Sequence, residues 1–299
     1  MTEGTTQDVP TAARAMLRRW LTRVVDAEAL EWLDGACASV AAGAADRIFF
    51  TRFSMAQRRM GKVDLPLEAV DFAEAQELRT GWDPSGLTCD QAGRAAIVLS
   101  LPSDDTDRWL KALDRTFDAA DVGEAVALYR CLPLLGSQDK LVPRCAEGIR
   151  TNIRAIFEAV AHRNPFPAEH LEEGPWNQMV LKALFVGSEL RPIRRLDERA
   201  NERLASMLVD FAHERWAAGR DVPLELWRCV GPFADDEVIN DLARELSQGS
   251  EQQRRSAALA LTAAPSPRAY QLLESVPDLV ALIDDDRLTW ETVGLVEAA

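Results

Sequence analysis

Three imidazoles, His162, His170 and His213, are the side chains of this chain best suited to move a proton near neutral pH. One stands in a suggestive pattern. Asp210, His213 and Glu214 fall at i, i+3 and i+4, so in a helix they share a face where a carboxylate can orient the imidazole. Such a trio could serve acid–base chemistry or hold a metal, but a single His with two carboxylates lacks the HExxH spacing of a zinc site. His162 stands at the end of an expected helix, in HRNPFP (162–167), where the helix dipole favours a charged imidazole in a structural role.

A second group of residues suits binding rather than bond-making. Glu147, Arg150 and Arg154 lie close to one face of an expected helix over 141–162, and Asn152 is an amide in a helix interior, where it needs a specific hydrogen-bond task. In WNQMVLKALF (176–185) the apolar stripe is Trp176, Met179, Val180, Ala183 and Leu184, leaving Asn177 and Lys182 on other faces. Arg215 and Arg220 offer guanidinium forks for carboxylate or phosphate, and Trp216 and Trp227 could wall a site or fill a core. The candidate ligand-binding set is Arg150, Asn152, His162, Asn177, Lys182, His213, Arg215 and Arg220. There is no GxSxG elbow, Walker loop or GxGxxG after a strand, so no catalytic residue, metal or other cofactor is expected. The five cysteines lie at least 14 residues apart without a CxxC pair, the pattern of buried helix residues rather than of disulfides or a zinc site.

The elements that must position these groups read as helices. Apolar periodicity predicts helices over 11–25, 28–53 (Ala-rich, ending at RRMGK, 58–62), 64–78, 88–101, 104–118, 123–135, 141–162, 176–185 and 198–218. TGWDPSGLTC (80–89) reads as a linker, and strand signals are nearly absent. The fold expected is all-α: antiparallel helix pairs in an irregular HEAT-like α-solenoid or a helical bundle, with the cadence clearest at 250–275. Three regions are expected, residues 1–120, 121–231 and 232–299, as separate domains or parts of one continuous domain.

The formal charge of −14 argues against non-specific binding to a nucleic-acid backbone, which needs clustered lysine and arginine, so no nucleic-acid partner is expected. Residues 142–231 hold 13 basic and 13 acidic side chains, whereas 232–299 hold 5 and 13 and the first 141 residues carry the remaining −6, so a neutral centre lies between two acidic flanks. That centre suits an anionic or polar small ligand, though ordinary ion pairing gives the same balance. No run of 18 apolar residues suggests a membrane span, and the polar start MTEGTTQDVP lacks a secretory pattern, so a cytoplasmic protein is expected.

The strings RCLPLL (130–135), AEGIRTN, AHRNPFP (161–167), WNQMVLKALF, HERWAAGR (213–220) and LWRCVGPF (226–233) together make the chain resemble the EboA family of bacterial proteins. The resemblance implies a member of a secondary-metabolite gene cluster that acts in the traffic or export of a biosynthetic precursor. Such clusters also encode a UbiA-type prenyltransferase and a TatD-like hydrolase. It brings no catalytic residue set. The expectation is a non-catalytic helper whose partners are a small metabolite, enzymes of the same cluster such as the prenyltransferase, or both. The alternative is an enzyme using His162, His213 and nearby carboxylates as acid–base groups or metal ligands. A scaffold binding through its helical repeats is the third reading.

Overall fold

The computed structural model describes residues 8–295; the polar start of the chain lies outside them except for its last three residues. The chain is all-α. Among the described residues no strand forms, and the β-pairing is an isolated bridge between Asp64 and Thr88. Two compact units divide it at Leu171 and Glu172.

The first unit contains α1 (Val9–Leu21), α2 (Ala27–Ala41), α3 (Asp46–Met60), α4 (Ala69–Leu78), α5 (Cys89–Val98), α6 (Thr106–Ala119), α7 (Val122–Cys131), α8 (Val142–Arg150), α9 (Arg154–Ala161) and α10 (Phe166–His170). Helix α5 is its axis, with α1, α2, α3 and α7 all packed on it. Ala92, Gly93, Ala95 and Ala96 keep it slender enough to be surrounded, and nearly its whole length is buried. Inside that core Arg94 is neutralised by Asp90 at 2.5 Å, and its guanidinium lies over the Phe53 ring. A charge so deep is tolerable only when paired.

Three expectations are corrected here. The single helix over 28–53 is two, because Gly43 adopts φ 77° and closes α2, so the chain turns before α3. The long helix over 141–162 breaks after Arg150. Thr151, Asn152 and Ile153 are weak helix formers, and the Thr151 hydroxyl accepts from the Ile153 amide, a local bond that competes with the helix. The fold-back is close: a Cβ on Gly148 would stand 2.6 Å from the Val160 side chain and 2.7 Å from Tyr129.

The third correction is the 80–89 segment, which is an ordered loop rather than a linker. Trp82 stacks parallel to Trp20 at 6.3 Å and donates its indole N–H to the Arg130 carbonyl. Arg130 in turn donates to the carbonyls of Ser85 and Gly86. The Leu65 amide donates to the Leu87 carbonyl and the Cys89 amide to that of Val63. That pairing holds residues 63–65 extended, so α4 starts at Ala69 rather than at 64.

The second unit contains α11 (Glu173–Phe185), α12 (Glu202–Ala217), α13 (Asp236–Gln248), α14 (Glu251–Ala263), α15 (Pro267–Glu274) and α16 (Pro277–Asp284), with short 3-10 turns at Leu224–Cys229 and Gly231–Phe233. Helix α14, rich in alanine, is central and packs on α13, α15, α16 and both turns. Asp235 caps α13, accepting from the Glu237 and Val238 amides, and Ser250 caps α14.

Candidate functional site

Helices α12 and α13, with the segment joining the 3-10 turns to α13, enclose a cleft of about 700 Å³ in the second unit. Its walls follow from helical spacing. Glu202, Ser206, Val209, Asp210 and His213 fall at i, i+4, i+7, i+8 and i+11 on one face of α12, and Glu237, Val238 and Asp241 share a face of α13. Val209, Phe233 and, at the cleft's edge, Val238 give apolar surface. Five carboxylates, Glu202, Asp210, Asp235, Glu237 and Asp241, line it without any lysine or arginine. A cleft lined by one sign of charge focuses its field, so this one attracts cations.

His213 Nε2 lies 2.7 Å from Asp241 Oδ2, a bond that joins the two helices across the cleft. The imidazole packs at 5.6 Å on the Trp216 ring, which packs on Trp227. The Trp216 indole donates to Glu245 at 2.9 Å, and Arg244 covers the ring at 4.5 Å. Burial raises the Glu245 pKa above the ordinary carboxylate value, opposed in part by the Trp216 hydrogen bond. His213 is thus held on one side by a carboxylate and on another by a fixed aromatic plane.

The candidate residues divide between the units. Arg150, Asn152 and His162 belong to the first. Arg150 is the exposed last residue of α8, Asn152 is exposed in the break, and His162 is half-buried at the C-cap of α9, its amide donating to the Glu158 carbonyl. The expected face of Glu147, Arg150 and Arg154 is divided by the break: Glu147 pairs with Arg144 and Arg154 with Glu158. In the second unit Asn177 is 1% exposed and exchanges two amide hydrogen bonds with Asn201, which caps α12. Lys182 is half-buried on α11, and burial lowers its pKa. Arg215 donates to the Asp221 carbonyl, and Arg220 is exposed just beyond α12.

Of the eight, His213 lines the cleft. Asp210 joins it there, but Glu214 does not, and the carboxylate orienting the imidazole is Asp241. Spacing along α12 could not reveal a partner 28 residues away on another helix. The signal present was DDEVIND (235–241), an acidic helix start whose charge also matches the helix dipole. His170 is engaged elsewhere, 3.0 Å from Gln138 and against the Phe166 ring. Among the described residues no group of three or more His, Cys, Asp or Glu side chains is placed to hold a metal ion, and no helix is long and apolar enough to cross a membrane.

A family model described as metabolite traffic protein EboA matches residues 13–231. The chain belongs to the EboA family. No curated protein and no solved structure matches it. The EboA span takes in α12 with Asp210 and His213 and stops before α13, so Glu237 and Asp241 lie outside it. Several strings that carried the resemblance hold the fold together. Asn164 of AHRNPFP is buried, donates to the Tyr129 and Ala159 carbonyls and accepts from the Phe166 amide. Arg130 of RCLPLL fixes the 80–89 loop, and burial pulls its pKa down to about 10, still protonated at neutral pH.

Proposed function

We propose that this EboA-family chain is a non-catalytic helper in secondary-metabolite traffic that holds a small cationic metabolite in the α12–α13 cleft. The family description supports the traffic role. One observation carries the ligand class: five carboxylates, one imidazole and no lysine or arginine around a hollow of about 700 Å³ with apolar walls. That volume falls within the roughly 300–1,000 Å³ of small-molecule sites. An amine would sit among the carboxylates with its hydrocarbon part on Val209, Phe233 and Val238. On this reading the arginine-containing centre is not the ligand site, since several of its guanidiniums already face carboxylates or carbonyls.

The resemblance supports enzymes of the same gene cluster, a UbiA-type prenyltransferase among them, as the proteins with which cargo is exchanged. The five free cysteines, four of them buried, suit a reducing cytoplasm. The stacking of α14 between α13 and α15 is consistent with a HEAT-like arrangement of this part of the chain.

The test is calorimetric titration of the full chain with phenethylamine and, as its anionic counterpart, phenylacetate. The amine is expected to bind and to bind more weakly in salt, with Asp241→Asn and Asp210→Asn each weakening it on the order of tenfold, as loss of a charged hydrogen bond implies. Equal binding of phenylacetate, or unchanged amine affinity in both folded variants, overturns the proposal. A second reading rests on the 2.7 Å His213–Asp241 bond: a carboxylate-oriented imidazole lining a cleft is the apparatus of a general base. Conversion of the bound amine that His213→Gln abolishes, without loss of binding, would favour that reading.

A further inference from the structure

A second hollow, of about 400 Å³, lies in the first unit, in a groove between α1 and α2. Both helices pack on α5, more than on each other, and the space between them is left open. Its residues recur at helical spacing, Arg14 and Arg18 on α1, and Leu33, Cys37 and Ala41 on α2, with Ala96 of α5 beneath. Where large side chains would fill such a junction, Ala38 and Ala41 do not reach across. The surface left is mainly hydrocarbon.

The charges are arranged asymmetrically. Arg18 spans the groove to Asp34 through two bonds of 2.6 and 2.7 Å and is neutralised there. Arg14, one turn earlier on the same face, faces no carboxylate in the groove beyond that committed Asp34; its hydrogen bond goes to the neutral Ser100 hydroxyl at 3.2 Å. The groove therefore carries a net positive charge in a chain of −14. All of its residues fall inside the span matched by the family model, unlike Glu237 and Asp241 of the acidic cleft.

We infer that this groove binds a single-chain anionic amphiphile, its hydrocarbon lying on Leu33, Ala38, Ala41 and Ala96 and its carboxylate or phosphate on Arg14. The two terms act together. Each methylene buried against this surface adds to the binding, and a guanidinium supplies a paired fork for an oxyanion. The inference is independent of the cleft in the second unit.

Full-length protein would be titrated with octyl phosphate, octanoate, octanol and octyltrimethylammonium. Both anions are expected to bind about tenfold or more tightly than the alcohol, and the cation least. Arg14→Gln should reduce the anions to the level of the alcohol. Ala38→Trp, which fills the groove from a half-exposed position, should abolish binding of all four while leaving the thermal midpoint near that of the wild type. Cys37 gives a local readout, since it lines the groove and the other four thiols are buried: octyl phosphate should slow its alkylation by iodoacetamide. Absence of binding to the wild type overturns the inference, as does equal affinity for octyl phosphate in the wild type and Arg14→Gln. Binding of octyl phosphate without protection of Cys37 places the ligand elsewhere and also overturns it.

Discussion

Replacement of Asn164 tests whether a string that carries the family resemblance acts through the fold rather than through a ligand. The side chain is 3% exposed and makes three hydrogen bonds: to the Tyr129 carbonyl at 3.1 Å, to the Ala159 carbonyl at 3.2 Å and from the Phe166 amide at 3.0 Å. Asn164→Ala leaves two carbonyls and an amide without their partner in a buried site. With roughly 1 kcal/mol net per neutral bond, and more where a buried group stays unpaired, the loss should be about 3 kcal/mol. Asn164→Asp is the sharper perturbation. It keeps the acceptor for Phe166 but points a carboxylate oxygen at two carbonyl oxygens. The buried acid will therefore have a folded-state pKa above its unfolded value of about 3.9. The folded variant then holds its proton more tightly than the unfolded one, so its stability rises as pH falls through that window and is lost as pH rises. Urea unfolding followed by circular dichroism, at neutral pH and near pH 4.5, measures both effects. Neutral-pH stability of Asn164→Ala within about 0.5 kcal/mol of the wild type would refute the reasoning, as would an Asn164→Asp variant that tracks Asn164→Ala at both pH values.

Two further predictions concern the second unit. Asn177→Ala should cost about 1–3 kcal/mol, because Asn201 loses a reciprocal partner at 1% exposure; in urea unfolding, adding Asn201→Ala should cost less than the sum of the two single changes. Burial raises the Glu245 pKa from 4.5, so the folded state binds protons more tightly than the unfolded one and stability falls as pH rises just above that value. Glu245→Gln keeps the acceptor for the Trp216 indole, and the thermal midpoint near pH 7 should rise while its slope between pH 4.5 and 6 flattens.

The helical class was legible because the 3.6-residue apolar period survives wherever one face of a helix is buried. Breaks were harder to see. The 28–53 and 141–162 helices each contain only a short run of weak helix formers, Gly43 in the first and 151–153 in the second, which the surrounding apolar period masks, and in the second case the close approach of Gly148 to Val160 adds to the fold-back. Pro and Gly at 81–86 imitated a linker, because turn chemistry is the same in a free loop and in one fixed by Trp82. In the candidate site, His213 and Asp210 were legible from their spacing along α12. Asp241 was not, since its role depends on which helix lies opposite. Asn177 stood out as a polar residue among apolar ones, and that signal came from a buried amide pair.

The loop at 80–89 also bears on how such a chain can change in length. Insertions survive where backbone is solvated and uncommitted, as at the tip of a turn. Between Trp82 and Cys89 the indole, the carbonyls of Ser85 and Gly86 and the amide of Cys89 are all bound to other parts of the unit. An added residue would shift the register of each of them at once. A segment whose composition invites insertion is therefore among the least extensible in the unit, because it is the hydrogen bonds of its backbone and not the space around its glycines that fix its length.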